Sequence, residues 1–163
     1  MYQPYPGSDT QLPELHRPPA PPSVLTAVRV MYVGAAASLL GIIIDILTVN
    51  ATKTAIEKRS PNLTASQINS TQHVLIAAFI AGGVIAAVVW IVLARASQGG
   101  HNWARITGTV LFALSTVDTI GGLTAPIAGP VKIWAVLVWL VALAAIVLLW
   151  RRDSSAFFKR TPS

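Results

Sequence analysis

The chain has 163 residues, of which 53% are hydrophobic and only 11% are charged, with a formal charge of +6. A soluble domain carries roughly 25% charged residues, so the composition points to an integral membrane protein and away from a globular one. Cysteine is absent, which excludes disulfides, thiol nucleophiles and thiolate metal sites.

Most of the basic excess flanks long apolar runs, where anionic head groups attract Lys and Arg. The partner this implies is the lipid bilayer, not nucleic acid.

Residues 1–25 hold Pro4, Pro6, Pro13, Pro18, Pro19, Pro21 and Pro22. Such density favours extended backbone and removes amide donors. The segment is expected to be a disordered, Pro-rich cytoplasmic tail, with docking to an aromatic groove as the alternative. It lacks the charged and apolar regions of a signal peptide.

Residues 26–150 are expected to form the membrane domain. Four apolar runs, about 27–49, 74–94, 104–125 and 131–150, each approach the ~20 residues that cross ~30 Å of hydrocarbon as a helix. Backbone exposed to lipid must satisfy its own hydrogen bonds, so the spans are read as α-helices. An extracytoplasmic loop, 50–72, separates the first two. Its "ATKTAIEKR" either extends the first helix or lies on the surface, and Ser60-Pro61 stops it. Thr64 to Gln67, "TASQ", has capping-box spacing and predicts a helix start leading to His73 and the second span. "RASQGGHNWAR" and "PIAGP" are tight connections. They predict sequential packing into an antiparallel, up-down four-helix bundle, an all-α fold.

Residues 151–163 read as a basic cytoplasmic tail, with "SSAFFKR" forming an interfacial turn that puts Phe157 and Phe158 among head groups. Placing both termini in the cytoplasm puts Arg17, Arg29, Arg95, Arg105, Arg151, Arg152, Lys159 and Arg160 inside. Lys53, Lys58, Arg59 and Lys132 then lie outside. Eight against four agrees with the positive-inside rule. Trp103 and Trp150 are expected at the inner interface and Trp134 at the outer one, with Trp139 deeper as packing material.

Two carboxylates lie inside spans. In the first, Gly34, Ser38, Gly41 and Asp45 share a helical face; in the third, Gly108, Leu111, Ser115, Asp118 and Gly122 do the same. Ala78, Gly82 and Ala86 form a shorter stripe in the second. Small residues let membrane helices approach closely, so Gly34, Ser38, Gly41, Gly82, Gly108, Ser115 and Gly122 are helix-packing candidates. At ~1.5 Å per residue, Asp45 and Asp118 lie roughly 6 Å and 10 Å below the outer helix ends. A charge at such depth needs a partner, water or a proton. Lys132 and His73 are the nearest candidates by sequence, giving a polar cluster of Asp45, His73, Asp118 and Lys132.

A structural polar cluster is the preferred reading, ahead of a proton or cation pathway and a small-ligand or head-group site. Zinc ligation by His and two Asp residues matches no motif spacing, so no catalytic, cofactor or metal site is assigned. Gly82-Gly83 and Gly121-Gly122 are read as close-packing positions rather than helix breaks. The sequons at Asn50, Asn62 and Asn69 fall on the expected outside.

At "GGHNWARITGTVLFALSTVDTI" followed by "LLWRRDSSAFFKR", the chain resembles a family of small four-span actinobacterial membrane proteins with Pro-rich tails. The resemblance covers about residues 23–160 and includes Arg29, Pro61, Thr64, Trp103-Ala104-Arg105 and Trp150-Arg151-Arg152. It implies a bacterial plasma-membrane location and two cytoplasmic termini, and it brings no assigned reaction, cofactor or substrate. It also implies an uncharged polar residue at many positions equivalent to Asp118, which favours polar packing there over a family-wide proton relay. A bacterial source leaves the sequons without a role.

The function expected is that of a non-enzymatic membrane protein. It would self-associate or serve as an accessory or scaffolding subunit of a cell-envelope or respiratory complex, with a homo-oligomer or membrane-protein partner. The alternative is a small oligomeric ion or solute transporter or channel using the outer Asp/Asp/Lys cluster. An enzyme acting on an apolar lipid is the third reading, and no nucleophile–base order supports it.

Overall fold

The computed structural model describes residues 20–125 and 127–160. Most of the Pro-rich tail, Pro126 of the "PIAGP" connection and residues 161–163 lie outside the described residues.

The described residues form helices throughout, with no strand. The first, α1, is Pro22–Leu47 and starts on proline. A proline in the first turn has no N–H to leave unsatisfied there. The Pro21 carbonyl accepts from the amides of Val24 and Leu25, at 3.0 and 3.2 Å. Residues 22–25, read from sequence as tail, thus open this helix. It breaks at Thr48, whose backbone leaves the helical region (φ −102°, ψ 9°). The Thr48 hydroxyl donates to the Ile44 carbonyl at 2.6 Å.

A separate helix, α2 (Val49–Arg59), follows and stops at Ser60, before Pro61. The long α3, Ala65–Gln98, begins on the expected capping box. The Gln67 amide donates to the Thr64 hydroxyl at 3.3 Å, and the Thr64 amide donates to Gln67 Oε1 at 2.9 Å. The helix ends in Gly99-Gly100, where Gly100 takes φ 76°. The Gly100 and His101 amides return to the carbonyls of Ser97 and Ala96, each at 3.1 Å. This is a Schellman closure, and its left-handed position suits glycine. It reverses the chain into α4, Asn102–Thr124. Then come α5, Gly129–Leu149, and α6, Arg152–Arg160.

Four helices, α1, α3, α4 and α5, are long and apolar enough to cross a membrane. The packing is uneven. α1 lies centrally against α3 and α5, whereas α4 rests mainly on α5 and touches α3 much less. The best-buried cluster is at the end where α1 starts and α3 and α5 finish, around Val24, Ala27, Met31, Ala94, Ala104 and Leu149.

α6 docks at this same end. Phe158 is buried in the cluster, not spread among head groups as the sequence suggested. The Ser154 hydroxyl donates to Ser23 Oγ at 2.9 Å, or to the Leu148 carbonyl at 2.8 Å. The Arg105 guanidinium lies 3.7 Å from the Trp150 ring centre and donates to Ser155 Oγ at 3.1 Å.

At the other end, Arg59 Nη1 donates to the Thr124 carbonyl at 2.6 Å. The Ala128 amide meets Thr52 Oγ1 at 3.4 Å. The Trp134 indole donates to the Ala37 carbonyl at 3.1 Å and so ties α5 to α1. Trp139 is packing material in the way expected, stacked on Phe112 and donating to Thr116 Oγ1 at 2.9 Å.

Candidate functional site

Because α4 leans on α5 and barely on α3, a space opens between α3 and α4. An open-sided cleft of about 680 Å³ fills it, floored by α1 and α5. Its α1 wall extends from Met31 to Asp45, about 21 Å at ~1.5 Å rise per residue. Aromatic side chains supply much of the lining: Phe79 and Trp90 from α3, Phe112 from α4, and Trp134 and Trp139 from α5.

The cleft has a polarity gradient. One end is apolar, with Met31, Leu93, Ala145 and Ile146. Here the helices close up, since a Cβ on Gly108 would be 3.6 Å from Ile146 and 3.8 Å from Leu93. The opposite end carries Asp45, Asp118 and Thr119. Wall hydroxyls between the ends are largely consumed within their own helices. Ser38 donates to the Gly34 carbonyl at 2.9 Å, and Ser115 to the Phe112 carbonyl at 2.9 Å. Such i−3 and i−4 back-bonds satisfy a hydroxyl in an apolar setting. Among the described residues, neither carboxylate has a hydrogen-bond or ion-pair partner.

The structure brings Asp45 and Asp118 to one cleft and leaves the other two cluster candidates elsewhere. Lys132 donates from Nζ to the Leu123 carbonyl at 2.8 Å. Together with Arg59 on Thr124, it caps the C-terminal end of α4, where unpaired carbonyls and the helix dipole both attract cations. His73 is exposed on α3 and does not line the cleft. Its neighbour Gln72 instead joins Thr52 beside Asp45, in a small side recess. Sequence reasoning missed both of these. Among the described residues no three His, Asp or Glu side chains gather as a metal ion requires.

The small residues divide similarly. Gly34 and Gly41 sit against indoles: a Cβ would be 2.7 Å from Trp90 Cε2 at the first and 3.1 Å from Trp134 Nε1 at the second. Ser38 is buried beside them. Gly82 and Gly122 have nothing within 4 Å of a Cβ position, so none of the described helices packs on them, and Gly82 lines the cleft instead. The close approach on α3 belongs to Gly83, where a Cβ would be 2.5 Å from Ile42 Cγ1 and 3.2 Å from the Ser38 carbonyl. The doublet was visible in sequence; which member faces α1 depends on helix rotation.

No known protein family, curated protein or solved structure matches the chain.

Proposed function

We propose that the chain is a non-enzymatic, multi-pass plasma-membrane protein with both termini in the cytoplasm and an up-down order of spans. It acts as a self-associating or accessory subunit of a larger membrane assembly. The observation that carries this reading is the exposure of α4. Its outer half presents Val117 and Ile120, 71% and 62% exposed, beside Gly121 and Gly122, which have open space before them. A second membrane helix can approach such a glycine surface closely enough for van der Waals contact to drive association. The orientation rests on the basic residues. Arg29, Arg95, Arg105, Arg151 and Arg152 are sequence neighbours of the end where α6 docks, which the positive-inside rule assigns to the cytoplasm.

Mass measurement in lipid nanodiscs, combined with cross-linking in membranes through Gly121→Cys, tests the association. Dimers or larger species, or a cross-linked membrane partner, are expected. A strictly monomeric species without any adduct under both conditions overturns the proposal. Labelling of single cysteines at residues 58 and 153 from either side tests the orientation.

The transporter reading is favoured by one observation, the shared cleft of Asp45 and Asp118. Lys132, counted in the same cluster from sequence, is engaged on α4 instead. Ion flux in liposomes, abolished by both Asp45→Asn and Asp118→Asn, would select this reading.

A further inference from the structure

We infer that the α3–α4 cleft is a binding site for a single-chain amphiphile with a cationic amine head. Its hydrocarbon chain would lie along the apolar wall and its head between Asp45 and Asp118. This goes beyond subunit association and holds whether the protein is a monomer or an oligomer.

Three features of the cleft select that chemistry. Its volume, about 680 Å³, falls within the roughly 300–1,000 Å³ typical of small-molecule sites, which are mainly apolar with a few polar groups fixing orientation. The opening between α3 and α4 runs along spans, so a lipophilic molecule reaches it sideways from the bilayer without crossing water. The polar groups not consumed within their own helices lie at one end, where two carboxylates have no partner among the described residues. A carboxylate at membrane depth demands compensation. The basic side chain nearest in sequence, Lys132, is already bonded to the Leu123 carbonyl. An amine head supplies the missing positive charge and donors, and the aromatic walls at Trp90 and Phe112 supply contact for the chain. With both acids ionised, a neutral lipid would leave them uncompensated, and a fatty acid would add a third negative charge.

The experiment uses the full chain in nanodiscs of zwitterionic lipid, with a photoreactive hexadecylamine as probe. Hexadecanol and hexadecanoic acid carrying the same photoreactive group are controls. Peptide mapping should place the amine adducts on cleft residues of α3 and α4, with labelling by the alcohol and acid roughly tenfold weaker or less, the scale of a lost charge-assisted hydrogen bond. Asp45→Asn with Asp118→Asn should reduce amine labelling by about the same factor. Gly82→Leu keeps both acids and has room for its side chain; it should obstruct the cleft and abolish labelling while leaving the melting temperature near that of the parent.

Equal labelling by all three probes would overturn the charge-based selection. Adducts scattered over the lipid-facing surface, unaffected by Gly82→Leu, would overturn the site. Cross-links between two copies through a cysteine at position 82 would show that a second chain fills the cleft, and would overturn it too. Native mass in the same nanodiscs reports association separately, so loss of either proposal is distinguishable from loss of the other.

Discussion

The indole of Trp90 fills the space in front of Gly34, so closely that a Cβ on the glycine would stand 2.7 Å from Trp90 Cε2. Together with Gly83 against Ile42, this contact sets the separation of α1 and α3. Gly34→Ala and Gly83→Ala should each destabilise by about 1–3 kcal/mol, the usual consequence of overpacking. Gly83→Ala should be the worse, because a backbone carbonyl, that of Ser38, also blocks the added atom. Gly82→Ala should be neutral or stabilising, since alanine is the better helix former by roughly 1 kcal/mol. Thermal unfolding in one detergent compares the three; equal losses would refute the assigned rotation of α3.

Arg105 holds α6 in place. Its guanidinium lies 3.7 Å from the Trp150 ring centre and 5.9 Å from that of Phe158. Lysine keeps the charge but not the planar surface, so Arg105→Lys should weaken α6 docking by about 1 kcal/mol. Amide exchange over 152–160 should accelerate roughly fivefold, the factor that 1 kcal/mol sets. Unchanged exchange would show that Ser154 and the buried Phe158 suffice.

Lys132 should be energetically independent of Asp118. Its amine serves the Leu123 carbonyl, so Lys132→Met should lose about 0.3–1 kcal/mol, as expected for a cation at a helix C-terminus. In a double-mutant cycle with Asp118→Asn, the coupling should stay within about 0.5 kcal/mol. A clearly larger coupling would restore the ion pair expected from sequence.

Thr64→Ala removes one half of the capping box. Loss of about 1 kcal/mol is expected, seen as faster amide exchange in the first turn of α3. The spans beyond residue 74 should remain unaffected.

Features governed by local chemistry were the legible ones. Four continuous apolar runs of about 20 residues announced four long helices, since a run of that length satisfies its own backbone in hydrocarbon by coiling. Thr64 and Gln67 announced their box by spacing alone, and the stripe spacing set Asp45 and Asp118 on faces that here line one cleft. What was illegible depended on distant geometry. The long stem of Lys132 reaches whichever acceptor lies nearest, and the exposed carbonyls of α4 came before a carboxylate. His73 and Gln72 are adjacent in sequence, yet only Gln72 lies beside Asp45. The burial of Phe158 follows from where α6 docks, against α1 and α5, a placement set outside its own 9 residues.

The central position of α1 imposes an order on biosynthesis. Among the four described spans it is made before the other three, yet one of its two principal neighbours, α5, is made after them. Until then a nascent chain exposes the α5-facing side of α1 to lipid or to the insertion machinery. Truncations before residue 129 should therefore strand three spans with the α5-facing side of α1 uncovered, a product that membrane quality-control proteases remove, however well α3 has already docked.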